Sequence, residues 1–119
     1  MHELSVCQAL IAQVEELAQR EKAQQVECVR VGIGPLSGVE PQLLQRAYPL
    51  AAAGTLAEGS VLDIEDRPVR VNCQMCGKNS DASANRLLCA HCGDWRTTLI
   101  SGDELILVQV EFTREEDYV

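Results

Sequence analysis

Four cysteines stand in two matched knuckles, Cys73-Gln74-Met75-Cys76-Gly77 and Cys89-Ala90-His91-Cys92-Gly93, with twelve residues between Cys76 and Cys89. Each C-x-x-C lets two thiolates converge on one ion. The glycine that follows permits the tight turn that aims backbone N–H groups at sulfur. Four thiolates favour tetrahedral Zn²⁺ or iron. Zinc is the better fit, because rubredoxin-like iron sites are packed among many aromatics and only Trp95 lies near this segment. Four sulfur ligands leave no open position for water, so the ion is structural rather than catalytic. His91, inside the second knuckle, reads as a solvated spacer.

A second group of donors opens the chain, Met1-His2-Glu3. Histidine is too bulky for efficient removal of the initiator methionine, so the α-amine of Met1 is expected to stay. That amine and the amide nitrogen of His2 close a five-membered chelate. The imidazole Nδ1 and the same amide close a six-membered one. Three nitrogens at the corners of a square suit Ni²⁺ and Cu²⁺. Glu3, a neighbouring backbone nitrogen, or Glu40 could fill a remaining position. Other chemistry is poorly supplied. Gly32-Ile33-Gly34 follows a strand-like run, but Ser37 stands where a dinucleotide fingerprint needs its third glycine. No G-K-[ST] phosphate loop exists. With His2 and His91 as the only histidines, an acid–base enzyme is not expected. Cys7 and Cys28 read as small buried core residues.

The elements that must hold these groups are short and aliphatic. A chain of 119 residues fits one domain or a domain with a metal-stapled subdomain. Trp95, Phe112, Tyr48 and Tyr118 are its only aromatics, so Val, Ile, Leu and Ala must build the core. The net charge is −8, and segment 68–103, with four cations against three anions, is +1, which leaves −9 on the remainder. Such a body lacks the clustered cations that hold nucleic acid. No apolar run approaches the ~18 residues of a membrane span. The N-terminus lacks the pattern of a signal peptide. A cytoplasmic location is expected, where paired cysteines stay reduced and bind metal.

Leu4, Cys7, Leu10, Ile11, Val14, Leu17 and Ala18 recur at helical steps and predict an amphipathic helix over 3–22. That helix would anchor the N-terminal donors to a rigid element. Val29, Val31 and Ile33 alternate with Cys28, Arg30 and Gly32 in a strand over 26–33. A second helix is expected over about 40–53, with Pro41 in its first turn and a kink or early end at Pro49. Strands follow at 61–65 and 104–112, the latter with Leu105, Leu107 and Gln109 opposite Ile106, Val108 and Val110. Residues 67–71 are extended and lead into the cysteines, and the tail, Arg114 to Val119, is acidic and loose. The predicted fold is α+β: two helices packed on a small mixed three-stranded sheet, with an inserted four-cysteine, zinc-ribbon-like subdomain. Its parts are a body of 1–67 plus 104–119 and a metal subdomain of 68–103.

Taken in order, these residues resemble the HypA/HybF-type hydrogenase-maturation nickel metallochaperones over nearly the whole chain. The likeness rests on Met1-His2-Glu3-Leu4-Ser5, on Val31-Gly32-Ile33-Gly34 with Leu36-Ser37, and on Leu43 through Ala47-Tyr48 to Gly54-Thr55. The two knuckles and the closing strand complete it. The resemblance implies Ni²⁺ carried at the N-terminus through His2, and structural Zn²⁺ held by Cys73, Cys76, Cys89 and Cys92. It also implies delivery to the [NiFe]-hydrogenase large subunit together with a maturation GTPase. The charge, hydropathy and histidine count add the expectation of no nucleic acid or membrane partner and no enzyme activity, and a monomer or weak homodimer is expected. The competing reading is a zinc-ribbon protein-interaction module without labile metal.

Overall fold

The computed structural model describes residues 2–114; the readings that fall on Met1 and on residues 115–119, the acidic segment among them, lie outside the described residues. Helix α1 runs Glu3–Arg20, strand β1 Ala23–Ile33, helix α2 Pro41–Ala52 and β2 Val61–Asp66. Three short strands follow, β3 Arg70–Cys73, β4 Asn79–Asp81 and β5 Thr97–Ser101, and then the long β6, Leu105–Arg114. One sheet has the order β2-β1-β6 and the other β4-β3-β5. The expected two helices and three-stranded sheet are present, and the second sheet is an addition that the sequence did not signal.

The chain divides into two compact units. The first holds α1, most of β1, α2, and most of β2 and β6. Cys7, Leu10, Ile11, Val14 and Ala18 bury one stripe of α1, and Leu44, Tyr48 and Ala52, at steps of four, bury one stripe of α2. The Cys7 thiol donates to the Leu44 carbonyl at 3.5 Å, so a small sulfur lets the helices approach closely. Tyr48 is buried with its hydroxyl 2.7 Å from Ser60 Oγ, which satisfies its polar tip. Pro49 does not end α2, which continues to Ala52. The proline lies on the exposed side, where water can meet the carbonyl it leaves without a donor.

Two core expectations change. Cys28 is half-buried rather than buried, because it alternates with Val29 and shares the face of Arg30. On that face Arg30 Nε donates to Asp63 at 2.9 Å and Nη1 to Gln109 at 3.2 Å, a polar ladder across the sheet. Leu4 is 42% exposed, while Glu3 beside it is 6% exposed.

Helix α1 stops because Lys22 adopts a left-handed conformation, φ 56°, with its N–H bonded to the Gln19 carbonyl at 3.1 Å. That conformation costs a side-chain-bearing residue about 1 kcal/mol, which glycine escapes. Lys22→Gly is therefore expected to stabilise the protein by about 0.5–1 kcal/mol, read as a raised urea midpoint at unchanged m-value.

The second unit takes in Gly32–Gly38 and Asp66–Leu105. Leu36 N–H donates to Gly102 O at 2.7 Å and Gly34 N–H to Glu104 O at 2.9 Å. A Cβ on Gly34 would collide with the Gly102 carbonyl, so glycine is required at this close approach. Strand β3 sits between antiparallel β4 and β5, with Val71 opposite Ser80 on one side and Leu99 on the other.

Candidate metal centres

The two knuckles are built alike, hydrogen bond for hydrogen bond. β3 ends at Cys73, whose carbonyl accepts the Gly77 N–H at 2.9 Å; the Cys89 carbonyl accepts the Gly93 N–H at 2.9 Å. Gly77 and Gly93 have φ of 76° and 77°, the left-handed turn that the C-x-x-C-G pattern anticipates. Inside each turn two N–H groups point at the first sulfur. Cys73 Sγ accepts from Met75 and Cys76 at 3.3 and 3.4 Å, and Cys89 Sγ from His91 and Cys92 at the same distances.

All four sulfurs lie within 4.8 Å of one another, with Cys73–Cys92 and Cys76–Cys89 both at 3.6 Å. A tetrahedron with Zn–S bonds of ~2.3 Å has edges of about 3.8 Å. The spacing is far too long for a disulfide bond, which needs ~2.05 Å. The donor set therefore fits a thiolate-bound tetrahedral dication. Ionisation follows the turns: the Cys92 and His91 N–H groups draw the Cys89 thiol down to about 6, and those of Cys76 and Met75 lower Cys73. Cys92 accepts help from the Asp94 N–H, yet the neighbouring Cys73 sulfur, burial and the remaining sulfurs push it up to about 12. Two sulfurs give up protons readily and two resist; a cation at their centre would replace the protons of all four.

Supporting contacts hold the knuckles together. Buried Ser80, on β4, accepts the Ala90 N–H on its Oγ at 3.0 Å and so ties the first hairpin to the second knuckle. Ser80 carries no signal in the sequence, because β4, which sets it opposite Val71, shows no apolar alternation. The Gln74 N–H donates to the Arg96 carbonyl at 2.9 Å, and Arg96 holds Asp94 through two side-chain bonds of 3.0 and 2.8 Å. Arg96 also lies 5.7 Å from the centre of the exposed Trp95 ring. His91 is exposed, its Nε2 3.3 Å from the Asn79 carbonyl.

At the other end of the sequence, His2 occupies the N-cap of α1. Its carbonyl accepts the Val6 N–H at 3.0 Å and the Ser5 hydroxyl at 2.8 Å. Its side chain makes no capping bond and is exposed, so the helix holds the backbone of His2 and leaves the imidazole without a partner among the described residues. Glu3 is 6% exposed, and its Oε2 accepts the Glu40 N–H at 3.2 Å. Glu40 caps α2 through a 3.3 Å bond from Gln42 N–H. The first turn of α1 and the N-terminus of α2 are thus tied together, and two of the expected donor residues, Glu3 and Glu40, adjoin. The α-amine of Met1 lies outside the described residues.

The chain matches a family described as hydrogenase/urease nickel incorporation, metallochaperone, HypA, over residues 1–112. It is 53% identical over 111 residues to the hydrogenase maturation factor HypA of Nitrosospira multiformis, covering 93% of this chain and 96% of that one. The HypA of Aquifex aeolicus is 40% identical over 111 residues, again 93% and 96% of the two chains. Among solved structures, the solution structure of the Ni metallochaperone HypA from Helicobacter pylori aligns with a TM-score of 0.71 at 31% identity, over 97% of this chain and 100% of that one.

Proposed function

This chain belongs to the HypA family of hydrogenase/urease nickel-incorporation metallochaperones, and on that premise we propose that it carries Ni²⁺ on its N-terminus and passes it to the [NiFe]-hydrogenase large subunit. The ion is held by the His2 imidazole, the His2 amide nitrogen and the Met1 α-amine, with Glu3 supplying a further position. The observation that carries this reading is His2 itself: an exposed, uncommitted imidazole on a backbone fixed by the first helical turn. A donor with a fixed backbone and a free ring closes a chelate at little cost in order, yet stays open to a competing ligand set.

The second metal is Zn²⁺ on Cys73, Cys76, Cys89 and Cys92. Four thiolates complete its coordination, so it organises the second unit and takes no part in exchange. The recipient and a maturation GTPase are the partners, met in the cytoplasm by a monomer or weak homodimer. A body of charge −9 disfavours nucleic acid.

Metal analysis of protein with an unextended N-terminus tests the assignment. One zinc per chain should survive dialysis against a chelator that strips nickel, and one nickel should return on titration without loss of zinc. Nickel that enters only by displacing zinc would overturn the two-site reading.

A further inference from the structure

Beside the first turn of α1, a groove of about 340 Å³ is lined by Glu3, Leu4, Leu43, Arg46, Ala47 and Leu50. Its leucines are not core: Leu4 is 42%, Leu43 41% and Leu50 72% exposed. Leu43, Ala47 and Leu50 stand at i, i+4 and i+7 on α2, a stripe about two turns long that the folded chain leaves uncovered. Arg46 lies in the middle of it, and among the described residues no carboxylate pairs with it. An unpaired guanidinium framed by exposed leucines, on a body of −9, is an anomaly of both charge and polarity.

We propose that this groove receives an amphipathic helix of the protein that accepts the nickel, one that presents aliphatic side chains at i, i+4 and i+7 and a carboxylate to Arg46. The proposal rests on the nickel-carrier reading above and adds to it the surface where the acceptor docks. The Leu43, Ala47 and Leu50 stripe with Leu4 offers an apolar seat about two turns long, and in helix-in-groove recognition the inserted helix supplies its own anchors at i, i+4 and i+7. Arg46 selects an acidic group, and buried in a complex such a pair discriminates against partners that lack it. A second copy of this chain is a poor occupant. A two-fold contact would set the groove against itself, and the one carboxylate lining it, that of Glu3, is buried and bonded to Glu40. Because Glu3 and Leu4 directly follow His2, a helix seated here brings its protein to the nickel donors, so the ion moves between ligand sets without release.

The experiment is isothermal titration of the nickel-loaded chain with purified hydrogenase large-subunit precursor, for wild type, Arg46→Glu and Leu43→Ala/Leu50→Ala. Both variants are expected to weaken the complex about tenfold or more, with far-UV CD, zinc content and nickel titration unchanged. Variants that bind the precursor like wild type overturn the proposal and leave the nickel reading intact. So does a wild type that carries nickel but does not bind the precursor, or a loss confined to binding of the maturation GTPase. Sedimentation showing a wild-type dimer that Arg46→Glu dissociates overturns it in favour of a second copy. A wild type that takes up no nickel, with groove-dependent binding preserved, removes the carrier reading alone.

Discussion

Cys92→Ala abolishes zinc retention and unfolds β3, β4 and β5 together, while α1, α2 and their sheet remain folded. The expectation follows from how little else holds the second unit. Ile33, Val69 and Val71 are its buried aliphatic side chains; Cys73 and Cys89 complete its buried apolar set. Against this, structural zinc sites contribute about 10–16 kcal/mol at neutral pH. The two sulfurs that resist ionisation, Cys76 and Cys92, are the exposed ones, so substituting Cys92 removes a ligand and opens no cavity. Cys73→Ala should have the same outcome with a further packing cost, since Cys73 is 1% exposed. The first unit has its own core, from Cys7 and Val14 on α1 to Val29 and Val31 on β1 and Leu44 on α2. Amide NMR is the discriminating measurement: resonances of 70–101 should collapse to random-coil shifts while those of α1 and α2 hold. A global loss of far-UV CD in Cys92→Ala would show one cooperative body and sink the two-module reading.

The same contrast explains what could be read in advance. α1 was legible because Cys7, Leu10, Ile11, Val14 and Ala18 repeat with the helical period and all point to one core. β6 was legible by alternation, but it runs two residues past the expected Phe112 and takes in Arg114, which was expected in the loose tail and instead pairs with Glu21 at 2.7 Å. The strands β4 and β5 were not legible. Asn79-Ser80-Asp81 and Thr97-Thr98-Leu99-Ile100-Ser101 carry no apolar alternation, since their registers are set by backbone pairing and by the knuckles. The knuckles themselves were legible because a thiolate site depends on residue type and spacing alone. Glu3 misled for a different reason. At about 100° per residue it falls about 35° from the middle of the buried stripe of α1, and Leu4 about 65°. Position placed Glu3 inward, and the Glu40 N–H made its burial tolerable. The helical steps that began the stripe at Leu4 put it on the core face, where it lies at the edge.

His2→Ala should abolish specific nickel binding while zinc content, fold and stability stay as in wild type. The imidazole is exposed and makes no capping bond, so its removal is worth no more than ~0.5 kcal/mol of stability. Its backbone bonds to Ser5 and Val6 survive, because alanine keeps the same carbonyl. Loss of binding would thus report a lost ligand, not a lost helix. Two further variants locate the remaining donors. Acetylation of the amine removes one chelate ring and keeps the imidazole; it should weaken nickel nearly as much as His2→Ala. His91→Ala should leave nickel binding almost unchanged, since that ring is engaged by the Asn79 carbonyl. Titration followed by the square-planar d–d absorption separates these cases, and the zinc content of each sample controls for the second unit. Should the acetylated protein bind nickel as tightly as wild type, the amine is not a ligand. The imidazole would then have to act with other donors, of which Glu40, exposed at the cap of α2 and adjoining Glu3, is the first to substitute.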